Sequence, residues 1–283
     1  MPLINRSEFP ADHTYYRTTS PVYNKYLRDY CHIRTIALEK GTRFGWIKNL
    51  FGKYLQLVKF ERIDIEPTKE LLKEHGFTRG FVIWIPFRRT EVPVGWRKLA
   101  IGTHFTRTGF THIENNEYYK KWNERARRAR KKFLSFSESE VRIELVDEET
   151  FVKAFKAVKV KHMFKSDYIK YYRAMMEAGS DTVRSYVAYQ GETPIAGLAV
   201  HDYTDNSSVH LVAFTGRNAK PFQAGTGLID RWFADSVNLR ISYINFDHLR
   251  DASMPRDQQG YTDFKLNFME HECYFRDSYF RFL

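Results

Sequence analysis

Cysteine is almost absent from this chain: Cys31 and Cys273 are the only two, and neither lies in a Cys-x-x-Cys pair. That usage gives no zinc signature and suits a reducing compartment. The ten histidines show no His-x-x-x-His or His-x-His spacing, so no metal site is expected. No Gly-x-Ser-x-Gly occurs, and neither cysteine has the context of a nucleophile. Runs of about eighteen apolar residues are missing too, which excludes a membrane-spanning helix. The opening MPLINRSEFPADHTYYR lacks the apolar core of a secretory signal, and the expectation is a cytoplasmic protein. Acidic residues are outnumbered, leaving a formal charge of +11. Such an excess favours polyanionic partners: nucleic acid, nucleotide-linked substrates, or an anionic membrane surface on which the protein could sit peripherally.

What is present is a globular composition. Of 283 residues, 43% are hydrophobic and 28% charged, enough for one large core or two compact domains. The 18 Tyr and 23 Phe suit pleated, half-buried surfaces, hence several sheets. Residues 33–41 and 43–49 read as a hairpin and 54–65 as a further strand. A helix over 67–77 opens at Pro67 and closes at Gly76. The apolar run 81–87 predicts a strand covered on both faces.

The stretch 115–137 is helical and basic at its centre, with eight Lys or Arg against one Glu between Lys120 and Lys132. Tyr118, Trp122, Ala126 and Ala129 recur at helical spacing and would face a core, leaving the cations outside. That outer face is either a solvated surface or a platform for phosphates. A strand and an amphipathic helix follow over 141–164, then a helix over 167–179. Three antiparallel strands fill 183–216, with turns at Gly191-Glu192-Thr193-Pro194 and Asp205-Asn206-Ser207. A helix over 221–240, a strand over 241–249 and final strands within 263–283 complete the pattern. Both halves run hairpin strands, helix, buried strand. This predicts a mixed α+β chain of duplicated architecture, divided into 1–114 and 115–283.

Several residues carry possible chemistry. Gly260-Tyr261-Thr262-Asp263-Phe264-Lys265-Leu266-Asn267-Phe268 sets one cation beside aromatics. Partly desolvated, Lys265 could stabilise an oxyanion or a phosphate; it could also be an ordinary strand lysine. Asp247, ending ISYINFD, is with His248 a candidate base or a loop carboxylate. Lys161, His162 and Lys165 could hold an acceptor's phosphates or form a solvated helix face. Arg250, Asp251 and Arg256 lie in a polar loop that could cover a site.

The order of elements in 183–249 resembles the core of the N-acetyltransferase (GNAT) fold, whose glycine-started helix holds a pyrophosphate on free amides. In Phe222-Gln223-Ala224-Gly225-Thr226-Gly227, Gly225 and Gly227 match the acyl-CoA signature Arg/Gln-x-x-Gly-x-Gly/Ala. Phe222 holds its first position, with Gln223 one place late. The same glycines could serve only a tight loop and close helix packing.

The helix from Trp122 to Lys132, the turn from Gly191 to Gly197 and the Gly260…Phe264-Lys265…Phe268 ending occur in one order. Together they resemble the FemA/FemB/FemX family of peptidoglycan-bridge aminoacyltransferases and related FemAB-like acyltransferases. The resemblance is clearest over 115–270. It implies two GNAT-like subdomains, each a mostly antiparallel mixed sheet flanked by helices. It also implies transfer of an amino acid from aminoacyl-tRNA to an amine of a UDP- or lipid-linked cell-wall precursor, with no tightly bound cofactor.

Carried over, the charge-stabilising role falls on Lys265 and the base on Asp247. Phe264, Lys161, Lys165 and Arg250 are then substrate contacts, and Gly225, Thr226, Gly227, Arg127 and Arg128 donor contacts. The chain departs from the family pattern twice. It has no room for the long helical-hairpin insertion of some members, and Met269-Glu270 stand where a glycine is expected. An acyl-CoA-dependent N-acyltransferase and a non-catalytic basic RNA-binding protein are the alternative readings.

Overall fold

The computed structural model describes residues 5–6, 20–38, 43–50, 55–86, 92–99, 107–159, 165–179, 182–249, 256–274 and 278–283. In chain order these form β1 (Asn5–Arg6), α1 (Pro21–Asp29), β2 (Arg34–Leu38), β3 (Arg43–Leu50), β4 (Leu55–Glu61), α2 (Lys69–Glu74) and β5 (Gly80–Ile85). Next come β6 (Arg97–Lys98), β7 (Arg107–His112), α3 (Glu124–Phe133), β8 (Arg142–Val146), α4 (Glu148–Ala157) and α5 (Lys165–Gly179). The rest are β9 (Val183–Gln190), β10 (Thr193–Tyr203), β11 (Ser207–Thr215), α6 (Ala224–Asn238), β12 (Tyr243–Leu249), α7 (Arg256–Lys265), β13 (His271–Tyr274) and β14 (Tyr279–Phe282). Two compact units result, 1–7 with 108–272 and 8–107 with 273–283. The sequence reading places a single cut between 114 and 115, whereas these units exchange chain near 7, 107 and 272.

The smaller unit is a six-stranded sheet in the order β2-β3-β4-β5-β14-β6. Its neighbours are antiparallel except β4 and β5, which run parallel with α2 between them in sequence. Thr68 caps α2 by accepting from the Leu71 amide at 3.2 Å, and Gly76 follows its end at a φ of 71°. Ile36, Val58, Phe60, Leu72, Val82 and Trp84 form its core. The expectation that β5 is covered on both faces is corrected here. One face is open at its start, where Phe81 is 38% exposed and edge-on to Phe282 at 5.1 Å, and closes toward its end, where Ile85 on that same face is fully buried.

The larger unit is an eight-stranded sheet in the order β1-β13-β7-β12-β11-β10-β9-β8. Strands β9, β10 and β11 form the antiparallel run read from sequence, turning at Gly191 (φ 54°) and Asn206 (φ 58°). Side chains alternate across β10. Ala196, Leu198 and Val200 join the core that includes α3 and α6, whereas Gly197 abuts Phe214 and Phe151 of α4.

Asn123 caps α3 by accepting from the Ala126 amide at 2.9 Å. Tyr118, Trp122 and Ala126 are buried as expected, Tyr118 against Phe233 and Trp122 against Phe233 and Phe268. Tyr118 and Trp122, however, lie at a 3-10 turn ahead of α3, and Ala129 is only half-buried. The sequence reading puts strands across 263–283, and its first part is wrong. Residues 256–265 are helix α7, so Lys265 ends a helix and is not a strand residue.

Candidate active site

Strands β11 and β12 run parallel, yet their register holds only from Ser207–Val209 against Tyr243–Asn245. Beyond those pairs β11 continues to Thr215 and β12 to Leu249, and the two strands part. The carboxyl end of β11 leads to the start of α6 and that of β12 toward α7. A crevice outside the carboxyl ends of parallel strands is where ligands bind in open α/β sheets.

Asp247 sets the path of β12 through this region. It is buried with a φ of 57°, a left-handed conformation that costs a non-glycine residue energy unless its surroundings hold it. Here they do. Its amide donates to Asn245 Oδ1 at 2.7 Å, and Thr108 Oγ1 sits 2.5 Å from its carbonyl oxygen and 3.0 Å from Asn245 Oδ1. The Asp247 carboxylate lies 3.8 Å from His248 Nδ1.

On either side of Asp247, the carbonyls of Phe246 and His248 accept from Lys265 Nζ, the second at 3.3 Å. The ammonium also lies 4.3 Å from the centre of the Tyr261 ring. Lys265 is 3% exposed. Two carbonyl dipoles and an aromatic face offset the cost of taking that charge from water.

Tyr261 stands one helical turn before Lys265 and is 40% exposed. Its hydroxyl is 2.7 Å from Nε2 and 3.1 Å from Nδ1 of His210. His210 is buried, and it follows Val209, the last residue of β11 in register with β12. A histidine–tyrosine pair therefore sits where the strands part. Sequence reasoning assigned neither residue a role. The available signal is a lone histidine among apolar residues in Val209-His210-Leu211-Val212-Ala213-Phe214.

The start of α6 supplies a third component. Gln223 precedes it at a φ of 56° and gives no side-chain cap, and the first turn holds no acidic residue. The Thr226 and Gly227 amides donate to the Gln223 carbonyl at 2.9 and 3.1 Å, which leaves the Ala224 and Gly225 amides at the helix start for an anion. Gly225 and Gly227 have different neighbours. A β-carbon at Gly225 would lie 3.3 Å from the Phe264 ring, tying the α6 start to α7. At Gly227 it would meet Phe133 of α3 at 2.5 Å, so this glycine permits close helix packing.

Gly225, Thr226, Phe264, Lys265 and Asp247 thus gather around the parting strands, while other expected residues lie apart. Lys165 donates to the carbonyls of Lys156 and Val158 at 3.0 and 2.9 Å, closing the end of α4, and burial lowers its pKa. Arg128 is exposed and paired with Glu124. Arg127 lines a separate cavity on α3. Lys161 and Arg250 lie outside the described residues.

Residues 120–265 match the model of the family described as acetyltransferase (GNAT) domain, more than half of the chain. The chain belongs to the GNAT acetyltransferase family. Its fold is similar to that of FemX over 96% of this GNAT chain and 94% of FemX, with a TM-score of 0.72 at 11% identity. The C-terminal domain of a putative lysylphosphatidylglycerol synthetase from Agrobacterium fabrum is similar over 94% of this chain and 88% of its own. Its TM-score is 0.57 at 10% identity. L-PGS from Bacillus licheniformis gives 0.51 at 9%, over 88% of this chain and 83% of that one. At such identities the likeness establishes the fold: a tandem of GNAT-like subdomains of the FemX type, with mixed, mostly antiparallel sheets. No curated protein sequence matches the chain. Among the described residues no helix is long and apolar enough to cross a membrane.

Proposed function

We propose that this GNAT protein moves an aminoacyl group from aminoacyl-tRNA onto an amine of a peptidoglycan precursor, UDP-linked or lipid-linked. The observation that carries the reading is the convergence, where β11 and β12 part, of a buried ammonium, a histidine–tyrosine pair and a helix start with open amides. An ester donor is already activated, so no side-chain nucleophile is needed. The acceptor nitrogen attacks the ester carbonyl, a C–N bond forms, and the C–O bond to the ribose breaks. Tyr261 gives its proton to the departing ribose oxygen and regains one from the amine through His210.

Lys265 is buried on the Phe246 and His248 carbonyls. It acts on the developing oxyanion through its field, which low-dielectric surroundings preserve. Asp247 holds the end of β12 in shape, and its carboxylate is a second acceptor for the amine proton. Ala224 and Gly225 present the α6 amides to donor phosphate, Thr226 closes that turn with its own amide on the Gln223 carbonyl, and Phe264 packs against it. Lys161 and Arg250 are assigned to the acceptor. The charge of +11 suits two polyanionic substrates. Acyl-CoA is the alternative donor, favoured by the uncapped start of α6.

The test is transfer of a labelled amino acid from charged tRNA to a UDP-linked muropeptide. Transfer is expected, with Lys265→Met slowing it about 100-fold, the scale of losing an oxyanion-stabilising group. Unchanged transfer in Lys265→Met removes that residue from the mechanism. Acetyl transfer and thermal stabilisation with acetyl-CoA, without tRNA turnover, replace the donor.

A further inference from the structure

Helix α3 carries more cations than its own fold employs. Arg128 pairs with Glu124, the one acid in the helix, and Arg130 with Asp230 at 2.6 Å. Arg125, Arg127, Lys131 and Lys132 have no carboxylate partner among the described residues. Like charges this dense repel one another, so the helix would gain from a bound polyanion.

Two of the four are placed differently from the others. Arg127 and Lys131 stand one helical turn apart, about 6 Å of rise, and both line a cavity of about 390 Å³ with Tyr119, Arg130, Leu134 and Ser135. Part of that cavity is preorganised. The Arg130 guanidinium lies 4.1 Å over the Tyr119 ring while its Nε holds Asp230, which also accepts from the Tyr118 hydroxyl at 2.8 Å. A planar cation and an aromatic ring, both fixed, offer a base a surface to stack on. The paired cations beside them match the separation of neighbouring phosphates along a strand.

The helix that carries the cavity also packs against the start of α6. Past α3, Phe136 packs edge-on against Phe222 at 5.1 Å, and Phe133 fills the space left by Gly227 in the first turn of α6. That turn in turn meets Phe264, next to Lys265.

We infer that the Arg127–Lys131 cavity is a cradle for single-stranded nucleic acid, holding the strand that delivers the acyl group to the start of α6. This rests on the tRNA-donor reading above. A membrane surface fits less well, because Leu134 is the only strongly exposed large apolar side chain in the lining.

The experiment uses the full chain and a labelled twelve-nucleotide single-stranded RNA, with affinity measured between 50 and 200 mM salt. Arg127→Ala/Lys131→Ala is compared with Arg125→Ala/Lys132→Ala, which removes equal charge outside the cavity. The first pair is expected to weaken binding at least tenfold and to flatten the log–log salt slope by about 1.4, at about 0.7 per phosphate contact. It should weaken binding clearly more than the second pair does. Equal losses in both pairs would mean diffuse charge and overturn the cradle. So would binding to anionic phosphatidylglycerol vesicles, lost in the first pair, without RNA binding.

The donor is scored separately by transfer from charged tRNA. Turnover with undiminished RNA affinity in the first pair moves the nucleic acid elsewhere and leaves the donor reading standing. RNA binding lost in the first pair, with turnover from acetyl-CoA alone, keeps the cradle and overturns the donor reading.

Discussion

At the scale of single residues, Tyr261 is the side chain most open to a direct test. Its ring covers the Lys265 ammonium and its hydroxyl meets His210, while 40% of it faces solvent. Tyr261→Phe keeps the ring and deletes only the hydroxyl. Transfer should fall about 100-fold in kcat, the lower range for losing an acid–base group, with KM nearly unchanged. Stability should fall by about 1 kcal/mol, as for one hydrogen bond. Steady-state kinetics and a urea titration check the two parts, and an unaltered kcat would remove the tyrosine from the chemistry. The sequence pointed to this neighbourhood through the Gly260…Phe268 string but misjudged its geometry. Tyr261, Phe264, Lys265 and Phe268 recur at three- and four-residue steps, a helical period masked by the aromatic, strand-like residues that follow. His210 was illegible for another reason. Its importance depends on where two strands lose register, and neither strand encodes that locally.

Between elements, the seam of α3 and α6 rests on an absent side chain. Gly227→Ala would drive a β-carbon to 2.5 Å from the Phe133 ring, and overpacking of this kind costs about 1–3 kcal/mol. Thermal or denaturant unfolding should register that loss, whereas Gly225→Ala, 3.3 Å from the Phe264 ring, should cost less. Helix α4 tests a charge effect. The Asp147 carboxylate accepts from the Thr150 amide at 2.8 Å, and this bond, with the Thr150 side chain, holds its pKa below 3.8. A lowered carboxyl contributes stability above its unfolded value, and that contribution is lost as pH falls through the folded value. Asparagine caps about as well as aspartate. Asp147→Asn should therefore match the parent near neutral pH and lose less stability than the parent on acidification below pH 3.8. Melting curves across that range decide it. Elements of this kind were legible because caps, turns and periodicity are local. The turns at Gly191 and Asn206 fell where the residues put them.

For the molecule as a whole, neither unit is one continuous stretch of chain. The smaller sheet takes β14 between β5 and β6, with Gly80 and Leu283 exchanging two backbone hydrogen bonds of 2.9 Å and the Leu99 amide donating to the Ser278 carbonyl at 2.7 Å. Tyr279 is buried there, 5.7 Å from Trp84. Deleting 278–283 should remove an interior strand, leaving β5 and β6 without their shared partner. Amide hydrogen exchange of residues 55–61 and 80–85 should then accelerate to near unfolded rates, and retained protection would contradict this account. The sequence could show that 278–283 forms a strand; it could not show that the strand returns to residues 80–99. That placement matters while the protein is being made. Translation yields β2 to β6 long before β14, and their sheet stays open until residues 279–282 have cleared the ribosome. The apolar surface of β2 to β6 is therefore sealed only after β7 to β13 have been made, and nascent chains stalled before residue 279 should be unusually dependent on chaperones.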